Sequence, residues 1–508
     1  MRHLKFLLSI LVALLYSKSG DGQVDTSISD ERYRPQVHFS PKEKWINDPN
    51  GMVYHNGIYH LFYQYHPYSS VWGPMHWGYA TSKDLIHWIR QPIKIFPDSL
   101  GTIFSGSAVV DKNNTSGFGR NGTIPLVAIF TQHIEEDKKA GKSYVQHQSL
   151  AYSLDNGKTW TKYRGNPVLK SPGIPDFRDP KVIWHEPTKK WIMSLAVVDR
   201  IYFYSSPDLK NWKKESEFGE SAGAHGGVWE CPDLFSLEYN GKLIWVLIVN
   251  LNPGGPNKGS GTQYFLGDFN GQEFFPYSTE TKWLDYGPDS YAGVTWSNTG
   301  KRKIFLGWMS NWNYAERVPT ERWRSAMTIP RELKIVKVGN DTLVTSMIVK
   351  EIATLKSRPL VFDNVALSKP FEIGAKTGSI RFPGLCNLLT DTLKDLSITV
   401  LNDIGEKLVI GYDKSKNQYF IDRTQSGNTS FHEEFAAKQV APRFTAASGM
   451  DISLLIDVTS VELFADNGLT VMTTIFFPTK PYTKIEITSA DGGVIKKIEY
   501  ISLKSIWK

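Results

Sequence analysis

One short phrase recurs along this chain and limits what it can fold into. Ser82-Lys83-Asp84-Leu85-Ile86-His87-Trp88 returns as Ser153-Leu154-Asp155-Asn156-Gly157-Lys158-Thr159-Trp160 and as Ser206-Pro207-Asp208-Leu209-Lys210-Asn211-Trp212, with a fainter echo at Gly267-Asp268-Phe269-Asn270-Gly271. Each copy ends a run of β-branched and aromatic residues in a polar turn, and three close on Trp. The content is that of a four-stranded blade, and roughly 300 residues at this period make about five blades. A large irregular β-sandwich is the competing arrangement.

The turns agree with an all-β chain. Met52–His55 and Ile58–Phe62 flank Asn56-Gly57, and the run from Leu234 to Leu251 folds back at Asn240-Gly241. Asn-Gly between alternating apolar residues is the signature of a type I′ hairpin. After Pro330 the recurring phrase stops, Trp becomes rarer, and short strands such as Leu396–Val400, Lys407–Tyr412 and Ser460–Ala465 alternate with Gly, Asn and Asp turns. That style is a β-sandwich. The expected organisation is a leader at residues 1–22, a five-bladed β-propeller over 30–335 and a C-terminal β-sandwich over 345–508.

The leader rests on Arg2, His3 and Lys5 ahead of the apolar stretch Phe6–Tyr16, a pattern for export that is too short to span a bilayer. A secreted, extracellular product with no membrane partner is expected, and Asn113, Asn114, Asn121, Asn340 and Asn428 head glycosylation triplets that fit this route. Two cysteines, Cys231 and Cys386, exclude a disulfide framework and a zinc site made of Cys ligands. The net charge of +7 comes from 58 basic and 51 acidic residues without any long run of one sign, so no nucleic-acid arm is expected.

Three acidic motifs carry the chemistry: Trp45-Ile46-Asn47-Asp48-Pro49-Asn50-Gly51, Phe177-Arg178-Asp179-Pro180 and Trp229-Glu230-Cys231-Pro232-Asp233. Each sets a carboxylate among aromatic, Pro or Gly residues, where burial and a fixed backbone tune acidity. A lone Asp-Pro is ordinary turn chemistry. Three on separate blades are different, because the inner strands of a propeller line one funnel. Glycoside hydrolysis needs one ionised and one protonated carboxyl group flanking the scissile bond, and a third carboxylate can stabilise the positive charge that develops on the ring.

The pattern resembles glycoside hydrolase family 32, the invertases, exo-inulinases and levanases, over nearly the whole mature chain. Phe62-Tyr63-Gln64-Tyr65-His66-Pro67, Trp72-Gly73-Pro74-Met75-His76-Trp77-Gly78 and Phe104-Ser105-Gly106-Ser107 resemble further family segments, in order. The resemblance implies a five-bladed propeller joined to a β-sandwich, with Asp48 as nucleophile, Glu230 as acid/base and Asp179 as transition-state stabiliser. It also implies that Asn47, Gln64, Trp72, Phe104, Ser105, Arg178 and Trp308 line the sugar pocket, and that no metal or organic cofactor is needed. In Asp289-Ser290-Tyr291-Ala292-Gly293 the chain departs from the family, which commonly has Phe where Ser290 stands. Gly307-Trp308-Met309-Ser310-Asn311-Trp312 resembles the version common in microbial and exo-inulinase-like members.

The expected activity is retaining β-fructofuranosidase action on a small-molecule sugar, chiefly sucrose. The alternatives are an exo-acting fructan hydrolase, a fructosyltransferase in which sugar replaces water as acceptor, and an inactive sugar-binding module on the same fold.

Overall fold

The computed structural model describes residues 31–135, 144–374 and 380–507, and the leader expected at residues 1–22 lies outside them. Among the described residues the only helical element is a 3-10 turn at Lys350–Leu355; the rest is strand and turn. Five antiparallel sheets follow one another, each wound in chain order from an inner to an outer strand. Their inner strands are Lys44–His55, Thr102–Val110, Phe177–His185, Val228–Tyr239 and Tyr291–Thr295, of blades 1 to 5 respectively. The chain closes the ring on itself: Trp323–Arg324, which follows the second strand of blade 5, pairs in parallel with Lys44 and Trp45 of blade 1.

The recurring phrase has one structural job. In blades 1 to 3 it is the turn from the third strand to the fourth, and the fainter Gly267–Gly271 echo is the same turn in blade 4. The hydroxyls of Ser82, Ser153 and Ser206 meet the carboxylates of Asp84, Asp155 and Asp208 at 3.1, 2.8 and 3.1 Å. Those carboxylates accept backbone N–H groups from further round the turn, at His87, Thr159 and Asn211. The side chain thus supplies the bonds that a strand would have made. The two Asn-Gly hairpins form as expected, with φ of +47° and +78° at Asn56-Gly57 and +49° and +76° at Asn240-Gly241.

The propeller extends past the boundary expected at residue 335. Arg331–Val338 and Asp341–Ile348 are the two outer strands of blade 5, and the first strand of the sandwich begins at Leu360 rather than near 345. Blade 5 makes its outer turn without the Ser-x-Asp phrase, so its last hairpin has the local style of the domain that follows. The sandwich packs two six-stranded sheets over a core that includes Ile398, Val400, Leu408, Ile410, Ile452 and Leu454.

Buried ion pairs join the two domains. Arg331 of blade 5 reaches Asp285 at 2.8 Å and also bonds Glu462 of the sandwich, with all three side chains essentially inaccessible. Glu462 also holds His38, whose other ring nitrogen meets Asp457 at 2.7 Å. Asp289 points the same way: its carboxylate is bound by Arg423 at 2.7 Å and by the Tyr314 hydroxyl, so it is an interdomain anchor. Each charge is paired, without which burial of this kind would be strongly destabilising.

Candidate active site

Every inner strand breaks its ladder near the same end. Register shifts fall between Ile46 and Pro49, between Ile103 and Gly106, opposite Ser194–Ala196 around Asp179, between Glu230 and Asp233, and between Tyr291 and Val294. At three of these breaks Asp179, Cys231 and Ala292 take φ of +64°, +43° and +52°. A bulge re-aims side chains, and Pro49, Pro180 and Pro232 fit there because bulges and sheet edges do not need their missing N–H. The acidic motifs are therefore the bulges, which turn Asp48, Asp179 and Glu230 into one cavity of about 610 Å³.

Asp48 opens into this cavity with both oxygens engaged: Ser105 Oγ donates to Oδ2 at 2.6 Å and Asn47 Nδ2 to Oδ1 at 2.9 Å. The Asn47 amide cannot be turned over, because Trp45 Nε1, a donor only, bonds its Oδ1 at 2.8 Å. Asp179 Oδ2 accepts the Cys231 N–H at 3.1 Å. The Cys231 thiol lies 3.5 Å from Asp48 Oδ2 and 3.7 Å from Asp179 Oδ2, so its single proton has either carboxylate within reach. Glu230 Oε1 is forked by Arg178, with Nη2 at 2.9 Å and Nε at 3.2 Å, and Oε2 accepts the Tyr291 hydroxyl. Arg178 turns its remaining nitrogen to Asp176, which also accepts Tyr144 OH at 2.6 Å.

Crowding of three carboxylates sets the electrostatics. Burial, then the nearby Glu230 charge, pushes the Asp48 carboxyl up, against the lowering by its Ser105 and Asn47 bonds. Burial likewise raises Asp179, with Arg178 opposing the rise and Glu230 and Asp48 adding to it. Burial disfavours the Arg178 charge, but Glu230, Asp179 and Asp176 together hold it well above the ordinary value. Burial and these same carboxylates keep the Tyr291 hydroxyl and Cys231 thiol protonated, so both remain donors.

Of the residues expected to line the pocket, Asn47, Gln64, Trp72, Phe104, Ser105 and Arg178 border the cavity together with the three carboxylates. Gln64 Nε2 is buried with no partner, a donor left over for a ligand. Trp72 stands at the rim, 37% exposed. Trp77 holds the floor from behind, sealed between blades 1 and 2 with its Nε1 on the Phe104 carbonyl at 3.0 Å. Trp308 does not reach the cavity: it is fully buried behind Trp45 and Trp312, with ring centroids 5.9 and 4.9 Å away. Trp312, four residues on in the same segment, borders the cavity instead. His133, Glu135, Tyr144, Gln146 and Asp176 also border it, and no motif marked them. His60, His66 and His76 serve packing, bonding Tyr79 OH, the Val71 carbonyl and the Pro74 carbonyl.

A propeller that turns three carboxylates and a guanidinium into one axial cavity, backed by a β-sandwich, has the build of a glycoside hydrolase. The sequence matches the N-terminal domain of glycosyl hydrolases family 32 over residues 38–346 and the C-terminal domain of that family over residues 356–506, and the chain belongs to this family. It is 44% identical to a levanase of Bacillus subtilis, over 100% of this chain and 75% of that protein. It is 39% identical to an extracellular exo-inulinase of Aspergillus niger, over 94% of this chain and 96% of that one. Among solved structures, an exo-inulinase from Aspergillus awamori superimposes with a TM-score of 0.86 at 35% identity, covering 94% of this chain and 99% of that chain. A β-fructofuranosidase from Schwanniomyces occidentalis in complex with fructosyl-erythritol gives 0.84 at 32%, covering 95% and 100%.

Proposed function

We propose that the chain is a secreted, retaining, exo-acting fructan hydrolase that removes terminal β-fructofuranosyl units from inulin- or levan-type chains and also cleaves sucrose. The observation that carries this reading is the pairing in one cavity of Asp48, whose oxygens are fixed by Ser105 and Asn47, with Glu230, fixed by Arg178 and Tyr291. The levanase and exo-inulinase relatives favour fructans over sucrose as the principal substrate. The extracellular relatives also support export, and no described helix is long and apolar enough to cross a membrane.

In this reading Glu230 delivers its proton to the glycosidic oxygen as the bond to the anomeric carbon breaks, while Asp48 Oδ attacks that carbon from the opposite face. The product leaves with the proton, and a fructosyl ester remains on Asp48. Glu230, now ionised, takes a proton from water as the water oxygen displaces the ester, which restores both groups. Asp179, on the neighbouring bulge, binds ring hydroxyls more tightly as positive charge grows on the sugar.

Initial rates on sucrose, inulin and levan, with Asp48→Asn and Glu230→Gln as controls, test the reading. The wild type releases free fructose from all three, and each variant loses about three orders of magnitude or more in kcat while staying folded. Near-normal turnover by either variant, free of wild-type contamination, would contradict the assigned roles.

A further inference from the structure

The carboxylates occupy only the floor of the cavity, whose volume is of the size that encloses a molecule of several rings. One side above the floor belongs to blade 2. The Phe104 ring lies 4.3 Å from the His133 ring at an interplanar angle of 4°, Tyr144 continues the row at 5.1 Å from His133, and Trp72 meets Phe104 edge-on at 6.1 Å. Phe104 and His133 cover each other's facing sides, so the row presents their edges together with the Tyr144 and Trp72 rings, an apolar surface with polar rims that suits a chain of sugars. Gln146 sits beneath it, nearly inaccessible; its Nε2 is on His133 Nδ1 at 3.2 Å, and its Oε1 is buried without a partner. A buried carbonyl of this kind awaits a hydroxyl donor.

The same wall is tied to the reacting groups. Tyr144 OH bonds Asp176, Asp176 pairs with Arg178, and Arg178 forks Glu230. Asp176 and Arg178 thus stand between Tyr144 and Glu230, and the Arg178 fork on Glu230 does not depend on the Tyr144 ring.

Resting on the fructan-hydrolase reading above, we propose that Tyr144 and Gln146 form the subsite for the second sugar unit of the leaving group, and that this subsite sets the preference for β-fructans over sucrose. The leaving group of sucrose is a single ring and ends short of the Tyr144 end of the wall. A fructan chain continues across it, and the added contact is binding energy that sucrose cannot use.

The test is kcat and KM on sucrose and on short inulin-type and levan-type fructose oligomers, for the wild type, Tyr144→Ala, Tyr144→Phe and Gln146→Leu. Tyr144→Ala is expected to lower the ratio of fructan to sucrose kcat/KM about ten-fold, mainly through KM on the oligomers. Tyr144→Phe, which keeps the ring, returns the ratio to within about two- or three-fold of wild type, and Gln146→Leu lowers it about five-fold, a lost hydrogen bond. An unchanged ratio in both Tyr144→Ala and Gln146→Leu overturns the subsite, as does a fall shared equally by sucrose and the oligomers. A wild type that cleaves sucrose but no oligomer fails the underlying reading instead, and the subsite with it.

Discussion

Arg178 and Glu230 form a two-pronged contact, Nη2 and Nε both on Oε1 at 2.9 and 3.2 Å, that fixes the carboxylate proposed as acid/base. A guanidinium makes this fork and an ammonium does not.

Arg178→Lys should therefore keep the charge and lose the geometry. We expect kcat on sucrose to fall about a hundred-fold, the usual consequence of misplacing a catalytic group by about an ångström. Circular dichroism and the thermal midpoint should stay close to wild type. A kcat within two- or three-fold of wild type would show that charge alone suffices.

Ser105 bears on the acid side of the pH profile. Burial raises the Asp48 carboxyl and the Ser105 bond lowers it, so Ser105→Ala removes a lowering influence and the carboxyl rises further. As the proposed nucleophile, Asp48 would work only when ionised, so the acid limb of kcat/KM should move to higher pH in the variant. A limb that stays in place, or moves to lower pH, would contradict Asp48 as the group titrating there.

His38 predicts how stability depends on pH. Asp457 and Glu462 hold it at 2.7 Å on either side, and although burial disfavours its charge, these carboxylates raise it from 6.5 to about 9. Arg331, which shares Glu462, and Asp285 beyond it are the other charges of this cluster. A raised histidine stabilises fully below its unfolded value and loses that stabilisation as pH rises through its folded one. The thermal midpoint should thus fall between about pH 7 and pH 10. His38→Gln should be less stable at acidic pH by about 3 kcal/mol and show a flatter profile. Parallel profiles would assign the alkaline loss to other groups.

What the sequence made legible was local. Asn-Gly hairpins, the Ser-x-Asp turns and the Pro residues after Asp48, Asp179 and Cys231 are readable because neighbouring residues decide those conformations. The blade 2 wall was not legible, because Phe104, His133 and Tyr144 lie on or beside different strands of that blade and meet only once it has formed, and Tyr144 reaches Asp176 only across to the start of blade 3. His38 and Glu462 are an extreme case, paired across 424 positions of chain. Trp308 and Trp312 show the limit of motif reading: both lie in one segment, but the chain's course through blade 5 buries the first and turns the second toward the cavity.

If Asp48 attacks the sugar directly, a covalent fructosyl-enzyme forms with inversion and is resolved with a second inversion. Methanol added to the reaction competes with water for that intermediate, since Glu230 can deprotonate either acceptor. NMR of the earliest products, before the free sugars mutarotate, reads the outcome. Methyl β-fructofuranoside is the expected product; methyl α-fructofuranoside as the sole trapped product would mean a single displacement, and Asp48 would not be the nucleophile.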